Sequence, residues 1–321
     1  MGVATVWEMV TERLRPLARW LWPLAVANLV ANIGIVVTGA AVRLTGSGLG
    51  CPEWPKCDET SYTTHGELGI NGAIEFGNRL LTFVLVAVAI ATLLAAIGSR
   101  HRRATWLAFL VCLYVPFQAV VGGITVLTEL NPWVVAFHFL ASMLIIMFAV
   151  ALLDELRSPD RPRAPRPHRM LAFGTFGVGW VVLWLGTVVT GAGPHSGDEN
   201  SVRNGLDPAV VSQVHAVAVY VLVALTVALL VVARRSGDLW LARVTGLVLL
   251  IEIAQGVLGW TQYFLGLPIA LVALHMLGAA LLAAGLARIA LAVLPHHAPL
   301  EADASAEPQA SPATRLSRPG S

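Results

Sequence analysis

The sequence predicts an all-α membrane protein with eight transmembrane helices, arranged as two pseudo-symmetric four-helix bundles with both termini in the cytoplasm. Three observations lead to this fold class. The 321 residues are 56% hydrophobic and 12% charged, whereas soluble domains are about 25% charged. Eight apolar runs have about the 20-residue length that crosses a lipid bilayer. The second half of the chain also repeats motifs of the first half.

The eight apolar runs define the predicted spans. The first is preceded by Arg13, Arg15 and Arg19 and is too long for a cleaved signal peptide, so we expect it to remain in the protein. The runs cover residues 21–42, 73–97, 104–126, 132–153, 170–192, 208–233, 240–263 and 268–293.

The charges of the connecting segments predict the orientation. Basic residues cluster at the N-terminus, around residues 100–103 and 157–169, and at Arg234 and Arg235, whereas the alternate connections are mostly acidic. Because cytoplasmic loops carry the excess of Lys and Arg, both termini are expected in the cytoplasm. These features predict a multi-pass protein of a cell membrane, and the net charge of +2 gives no sign of a nucleic-acid partner.

Five segments follow from these assignments. The tail is rich in Ala, Pro, Ser and Glu, a composition typical of disorder. The segments are a cytoplasmic N-terminus (1–20), an N-terminal four-helix bundle (21–153) with an external loop (43–72), a cytoplasmic linker (154–169), a C-terminal four-helix bundle (170–293) and a disordered cytoplasmic tail (294–321).

The two predicted bundles are related by an internal duplication. VVTG occurs at 36–39 and again 152 residues later at 188–191. QAVVG at 118–122 resembles QGVLG at 255–259, and His138 and His275 end similar segments; both pairs are 137 residues apart. An even number of spans in each half predicts parallel copies, related by an axis near the membrane normal.

Two histidines of the second bundle are predicted to lie at one depth. His215 and His275 each follow by seven residues a proline, Pro208 or Pro268, that begins a span from the external side. A lone histidine inside a membrane usually packs through hydrogen bonds, but helical bundles build cofactor sites from facing helices. Zinc requires further ligands, whereas two imidazoles suffice for a six-coordinate haem. We therefore favour a haem site over a packing role.

The first bundle offers a different set at the equivalent places. The 137-residue offset places Asn78 opposite His215, and His138 lies six residues into its span, a depth of about 9 Å. Glu75 shares a helix face with Asn78. A carboxylate near hydrocarbon is by default functional, and the alternative is a self-neutralising pair with Arg79, four residues away.

Cysteines are used sparingly. Cys51 and Cys57 lie six residues apart in the first external loop, where thiols are oxidisable, and we favour a structural disulfide. A redox-active pair and two free thiols are the alternatives. Cys112 lies within the third span and is interpreted as a packing residue.

Several of these motifs resemble haem A synthases. The most specific is TGAAVRLTGSGLGCPEWPKC at 38–57, which is similar to the first-span exit and cysteine loop of that family. Ile74-Glu75 with Arg79, the stretch from Gln118 to Gly123 and the three span histidines extend the resemblance over about residues 20 to 293. It implies conversion of haem O to haem A for cytochrome oxidase, by oxidation of the methyl group at porphyrin C8 to a formyl group.

The resemblance also implies roles for individual residues. His215 and His275 are expected to ligate a permanent haem b, His138 belongs to the substrate haem site with Asn78 and Arg79, and Glu75 is the carboxylate required for chemistry. One departure stands out, because the family usually has a histidine where this chain has Asn78. The external-loop residue His65 is a candidate substitute ligand. Haem O synthase and cytochrome oxidase assembly proteins are the expected partners, within the lipid bilayer.

Three other functions are considered. A di-haem b-type electron-transfer protein predicts a histidine pair in each half, which Asn78 interrupts. A transporter with parallel repeats predicts broken helices or charges near mid-membrane, whereas the polar residues here gather on the external side. An oxidase assembly factor without catalysis is the third.

Overall fold

The protein is an all-helical, multi-pass membrane protein. The computed structural model describes residues 3–296, with side chains from residue 6. In this range, helices account for the regular structure apart from a single antiparallel bridge between Arg161 and His296. Eight segments are long and apolar enough to cross a membrane, which confirms the predicted number of spans. Most of the predicted disordered tail, residues 297–321, lies outside the described residues.

Seven of the eight spanning helices are longer than the apolar runs that predicted them, and the last is two residues shorter. A 3-10 segment, Arg15–Trp20, joins the first two helices, and another, Gly66–Leu68, precedes the third. The helices are α1 (Val3–Leu14), α2 (Leu21–Leu44), α3 (Gly69–Gly98), α4 (Arg102–Leu127), α5 (Pro132–Arg157), α6 (Arg166–Ala192), α7 (Pro208–Arg235), α8 (Leu239–Phe264) and α9 (Ile269–Ala292).

Local sequence explains where the long helices begin. Asp207 precedes Pro208, and its side chain accepts hydrogen bonds from the backbone N–H groups of Ala209 and Val210. A side-chain acceptor at the N-cap and a proline in the first turn are both typical helix starts. Asn131 before Pro132 uses the same combination at the start of α5.

The packing order of the helices follows the chain. In the N-terminal half, α2 packs on α3, α3 on α4 and α4 on α5, and α5 closes back on α2. Helices α6 to α9 pack in the same cyclic order, and α9 also contacts α5 and α2. A continuous apolar core, with Met143 and Ile146 on α5 and Leu286 and Ile289 on α9, joins the halves.

An ion-pair cluster joins the halves at the end of α5 that precedes the linker. Asp154 is buried and pairs with Arg161 of the linker at 2.6 Å and with Arg288 of α9. Arg288 also donates to the Ser158 hydroxyl. Because a buried charge is costly unless it is paired, this cluster fixes α5, the linker and α9 together.

Candidate functional site

The loop between α2 and α3 folds over the adjoining ends of α3 and α4. Cys51 and Cys57 form a disulfide bond, as predicted. Between them, the indole ring of Trp54 lies directly against the backbone of Gly123 on α4, so that any side chain at Gly123 overlaps the ring. Because Gly123 has no side chain, the Trp54 ring packs directly on α4 and the loop contacts the helix there.

Glu75 uses both carboxylate oxygens, one toward the loop and the other toward Arg79 of its own helix. Oε2 accepts the backbone N–H of Cys51 at 2.7 Å, and Oε1 accepts from the Arg79 guanidinium at 2.5 Å. The side chain is buried, with the residue 5% exposed. The pair with Arg79 that the spacing allowed is thus formed, but the carboxylate also holds the loop and is not simply a neutralised helix end.

Arg79 connects the same helix to three points of the loop. Its guanidinium donates to the carbonyl oxygens of Cys51 at 2.9 Å, Glu53 at 3.0 Å and Lys56 at 2.8 Å. These bonds and the pair with Glu75 occupy the guanidinium N–H groups, which are the donors with which an arginine binds a carboxylate or phosphate group of a substrate. In this structure Arg79 orders the cysteine loop.

His138 lies beneath the same part of α4. A Cβ atom added to Gly122 is 3.3 Å from Cε1 of the imidazole, so the ring rests against this glycine. The backbone carbonyl of His138 accepts hydrogen bonds from Gln118 and Ser142, which hold this turn of α5. Since Gly122 adjoins Gly123, the His138 ring and the Trp54 ring occupy neighbouring positions along α4.

His215 and His275 rest on glycines in the same way. An added Cβ at Gly186 of α6 is 3.5 Å from Cε1 of His215, and one at Gly259 of α8 is 3.5 Å from Cε1 of His275. His215 stands on α7 and His275 on α9, two helices that lie diagonally across the C-terminal bundle. The Nδ1 atoms of all three histidines are buried without a hydrogen-bond partner.

The repeat places Asn78 where the C-terminal half has His215, so this fourth equivalent position has an amide instead of an imidazole. Its Oδ1 accepts the hydroxyl of Thr38 on α2 at 2.8 Å. Gly34 on α2 stands 152 residues before Gly186 and faces open space, with no atom within 4 Å of an added Cβ. The glycine that holds His215 in one half therefore has an equivalent in the other half, where nothing covers it.

His65 is engaged elsewhere. Its Nε2 lies 2.5 Å from Oδ2 of Asp58 in the external loop. Hydrogen bonds from Thr60, together with those from His65 and Ser61, lower the pKa of the Asp58 carboxyl. His65 is therefore a partner of Asp58 within the loop.

The glycine contacts were only partly foreseen from the sequence. In the sequence, Gly122, Gly123, Gly256 and Gly259 are candidates either to make room for a flat macrocycle or to serve ordinary helix packing. In the structure Gly122 and Gly259 receive imidazoles, Gly123 receives Trp54, and Gly256 faces open space. The role of Gly186 was missed. The signal was present in the repeat, since IGIVVTG at 33–39 matches LGTVVTG at 185–191.

The donor set fits haem better than a bare metal ion. Over residues 3–296, no three or more His, Cys, Asp or Glu side chains are grouped so as to hold a metal ion. Haem needs only one or two axial ligands from the protein, because the porphyrin supplies four nitrogens. Paired imidazoles backed by glycines match that requirement in the C-terminal half.

Comparison with known proteins extends these observations. A family model described as cytochrome oxidase assembly protein, COX15-CtaA, matches residues 19–194. The heme A synthase of Geobacillus thermodenitrificans is 32% identical over 131 residues, which is 40% of each chain. That of Lysinibacillus sphaericus is 34% identical over 138 residues, 42% of this chain and 44% of the relative.

A longer match is found in Bradyrhizobium. The heme A synthase of Bradyrhizobium sp. strain BTAi1 is 30% identical over 205 residues, 53% of this chain and 56% of the relative. The chain thus spans about half the length of the curated relatives that it matches. The family-model match begins just before α2 and ends just after α6, so it includes the cysteine loop, Glu75 and His138.

Proposed function

The chain belongs to the COX15-CtaA family of cytochrome oxidase assembly proteins, and from that premise we propose that it is a haem A synthase. The proposed reaction oxidises the methyl group at C8 of haem O to a formyl group, which yields haem A for cytochrome oxidase. The observation that carries the proposal is the set of three imidazoles resting on glycines, next to a cysteine loop held by Glu75 and Arg79.

The proposed architecture is a duplicated one. Helices α2–α5 and α6–α9 form two pseudo-symmetric four-helix bundles with both termini in the cytoplasm. The repeat offsets, the equal packing order and the recurrence of glycine–histidine contacts support this arrangement. The protein is proposed to lie in the bacterial plasma membrane with the active site on the external side, where the basic connections are few.

The C-terminal bundle is proposed to hold a permanent haem b through His215 and His275. Two features of the residues fit this group: the imidazoles stand on helices that lie diagonally across the bundle, and each ring rests on a glycine. When bound, haem b supplies one-electron transfer. The protein contributes by orienting the two rings and by surrounding them with apolar helices, which exclude water.

The N-terminal bundle is proposed to bind haem O through His138. Asn78, whose amide is a weak ligand for iron, lies where the other bundle has His215, and Gly34 leaves space beside it. One strong ligand instead of two is appropriate for a substrate, which must leave as product. The loop carrying Trp54 covers the outer end of this site.

Glu75 is proposed to accept a proton as the methyl group is oxidised. It is a carboxylate at the boundary between the loop and the bundle, and general bases act through a positioned group of this kind. Arg79 positions the carboxylate and the loop together. Haem O synthase, as the source of substrate, and oxidase assembly proteins, as recipients of haem A, are the proposed partners.

The test is the identity of the haems that the protein produces. The chain is expressed in a host that makes haem O but lacks haem A, and extracted haems are separated by chromatography. We expect haem A with the wild-type chain and only haem O with His138→Ala as the matched control. Unchanged haem O with an intact haem b spectrum in the wild-type protein would contradict the proposal and favour an electron-transfer or assembly role.

A further inference from the structure

A buried acid of the C-terminal half has no part in the proposed reaction. Glu252, near the middle of α8, is 2% exposed. Its Oε1 accepts a hydrogen bond from the Thr226 hydroxyl of α7 at 2.8 Å, and its Oε2 is buried without a partner. An acid inside a membrane bundle is costly and usually functional, so this half-satisfied carboxyl group requires an explanation.

The acid lies beneath the two histidines of this half. Thr226 follows His215 by eleven residues on α7. Eleven residues are about three helical turns, so Thr226 lies on the same face of α7 as His215, about 16 Å further along the helix. Glu252 precedes Gly259, the glycine under His275, by seven residues, which is the same face of α8 about 10 Å deeper. The Thr226–Glu252 pair therefore faces the histidine site from its cytoplasmic side.

No counter-charge accompanies the acid. Helix α8 packs on α7 and α9, and within residues 3–296 no ion pair involves Glu252. Arg288 is paired with Asp154. The two arginines of α7, Arg234 and Arg235, lie in the last turn of that helix, at its cytoplasmic end. The other titratable groups of these helices, none hydrogen-bonded to Glu252, are His215, Tyr220, Arg234 and Arg235 on α7, Arg243 and Tyr263 on α8, and His275 and Arg288 on α9.

The N-terminal half shows that packing does not require an acid here. The 137-residue offset relates Thr226 to Ala89 and Glu252 to Val115. Both counterparts are buried in an apolar cluster of that half. The polar pair is therefore specific to the half with two histidines.

We propose that Glu252 is a proton-binding site coupled to the oxidation state of the haem held by His215 and His275. Glu252 takes a proton from water when that haem gains an electron and returns it when the electron leaves. In the experiment below, a one-electron redox mediator supplies this electron and takes it back. This inference rests on the proposed function, because it needs a haem between these histidines.

Electrostatics set the size of the coupling. At a separation of about 12 Å and an effective dielectric constant of about 20, one electron changes the proton affinity of the acid about tenfold. The anionic carboxylate favours the more positive, oxidised haem. By linkage, the midpoint potential of the haem is lower at high pH, where Glu252 is ionised, than at low pH, where it is protonated. The difference corresponds to the tenfold change in proton affinity and is about 59 mV.

The experiment is a redox titration of the purified protein with its haem bound, between roughly pH 5 and 9. In the wild type, the midpoint potential of the low-spin haem is expected to fall as the pH rises. In Glu252→Gln this fall is expected to shrink by about 59 mV, with the potential staying near the acid limit of the wild type. Glu155→Gln, which changes a buried acid on α5, is expected to follow the wild-type curve.

Superimposed curves for wild type and Glu252→Gln overturn the inference and leave Glu252 as a packing group. A second measurement does not depend on the folding of that variant: the infrared difference spectrum of wild-type protein should gain a protonated carboxyl C=O band on reduction. Absence of this band also overturns the inference. A wild-type protein without low-spin haem contradicts the proposed function itself, so the two failures are distinguishable.

Discussion

The two halves of the molecule share their framework and differ in what fills it. In the C-terminal half, Gly186 and Gly259 each support an imidazole, whereas in the N-terminal half Gly122 supports His138 and Gly34 supports nothing. The framework for a second histidine is thus present in both halves, and the ligand in only one. In the proposed function, this difference lets one half hold a permanent group and the other an exchangeable one.

The buried polar side chains between the helices of each half differ as well. In the N-terminal half, Asn32 donates to Asn28, which donates in turn to Thr92, and all three residues are buried. The C-terminal half instead has Thr226 and Glu252. Both networks satisfy polar groups between adjacent helices, a common means of association in membranes, but only the second includes an ionisable group.

The connections between α2 and α3 and between α6 and α7 extend the contrast. The N-terminal half has a disulfide-bonded loop anchored by Glu75 and Arg79. The corresponding C-terminal connection is shorter. Arg43 of α2 donates to its His195 carbonyl at 2.7 Å and to the Thr190 carbonyl in the last turn of α6. The elaborated cover thus lies over the half in which one histidine, His138, rests on a glycine, as expected if chemistry takes place there.

The largest expected effect separates the histidines of the two halves. His215→Ala and His275→Ala should each remove nearly all of the low-spin haem b spectrum, because each eliminates one of two axial bonds. His138→Ala should retain that spectrum and lose haem A formation. Optical spectra of the purified proteins and extracted haem analysis provide the measurements. A normal six-coordinate spectrum in both C-terminal variants would exclude the assignment of this cofactor.

The fold was accessible from the sequence to a large extent, because lipid imposes long apolar helices and the chain repeats itself. The eight spans and the disulfide were predicted and are confirmed. The contact of Trp54 with Gly123 was not predictable, since it joins residues far apart in sequence through a loop without periodicity. Nor did spacing reveal that Glu75 binds the Cys51 amide, because helix periodicity places only residues of the same helix.

The next largest effect concerns Glu75. Glu75→Gln keeps the size of the side chain but removes its charge, so haem A formation should fall by about 10²–10⁴-fold, the usual contribution of a general base. Haem b content should be unchanged, because the C-terminal half is untouched. Glu67→Gln, an exposed acid of the same loop, is the matched control. Wild-type turnover in Glu75→Gln would show that Glu75 has no role in the chemistry and serves only its ion pair and loop contacts.

A smaller effect is expected from the loop disulfide. Cys51→Ser removes a covalent constraint worth roughly 2 kcal/mol, while Glu75 and Arg79 still hold the loop. Activity should therefore decrease about tenfold, and haem b content much less. In native membranes, Cys51 and Cys57 should resist alkylation until a reductant is added. Immediate alkylation of both thiols would show that the bond is absent there.

The smallest expected effect on turnover, and the most direct test of the comparison, is Asn78→His. An imidazole at position 78 should lie on Gly34 as His215 lies on Gly186, because Gly34 faces open space. A second axial ligand should shift bound haem O toward low spin and slow its release about tenfold, the effect of about 1.4 kcal/mol. Turnover then falls only if product release limits it.

Two further variants sharpen this test. Thr38→Val removes the hydroxyl that holds Asn78 without adding a ligand, so the spin state should not change. Adding Gly34→Leu to Asn78→His fills the space for the ring and should reverse the shift. Spectra of the haem O-loaded proteins measure both. An unchanged spin state in Asn78→His would mean that position 78 does not face the iron, and the equivalence between the halves would fail at that position.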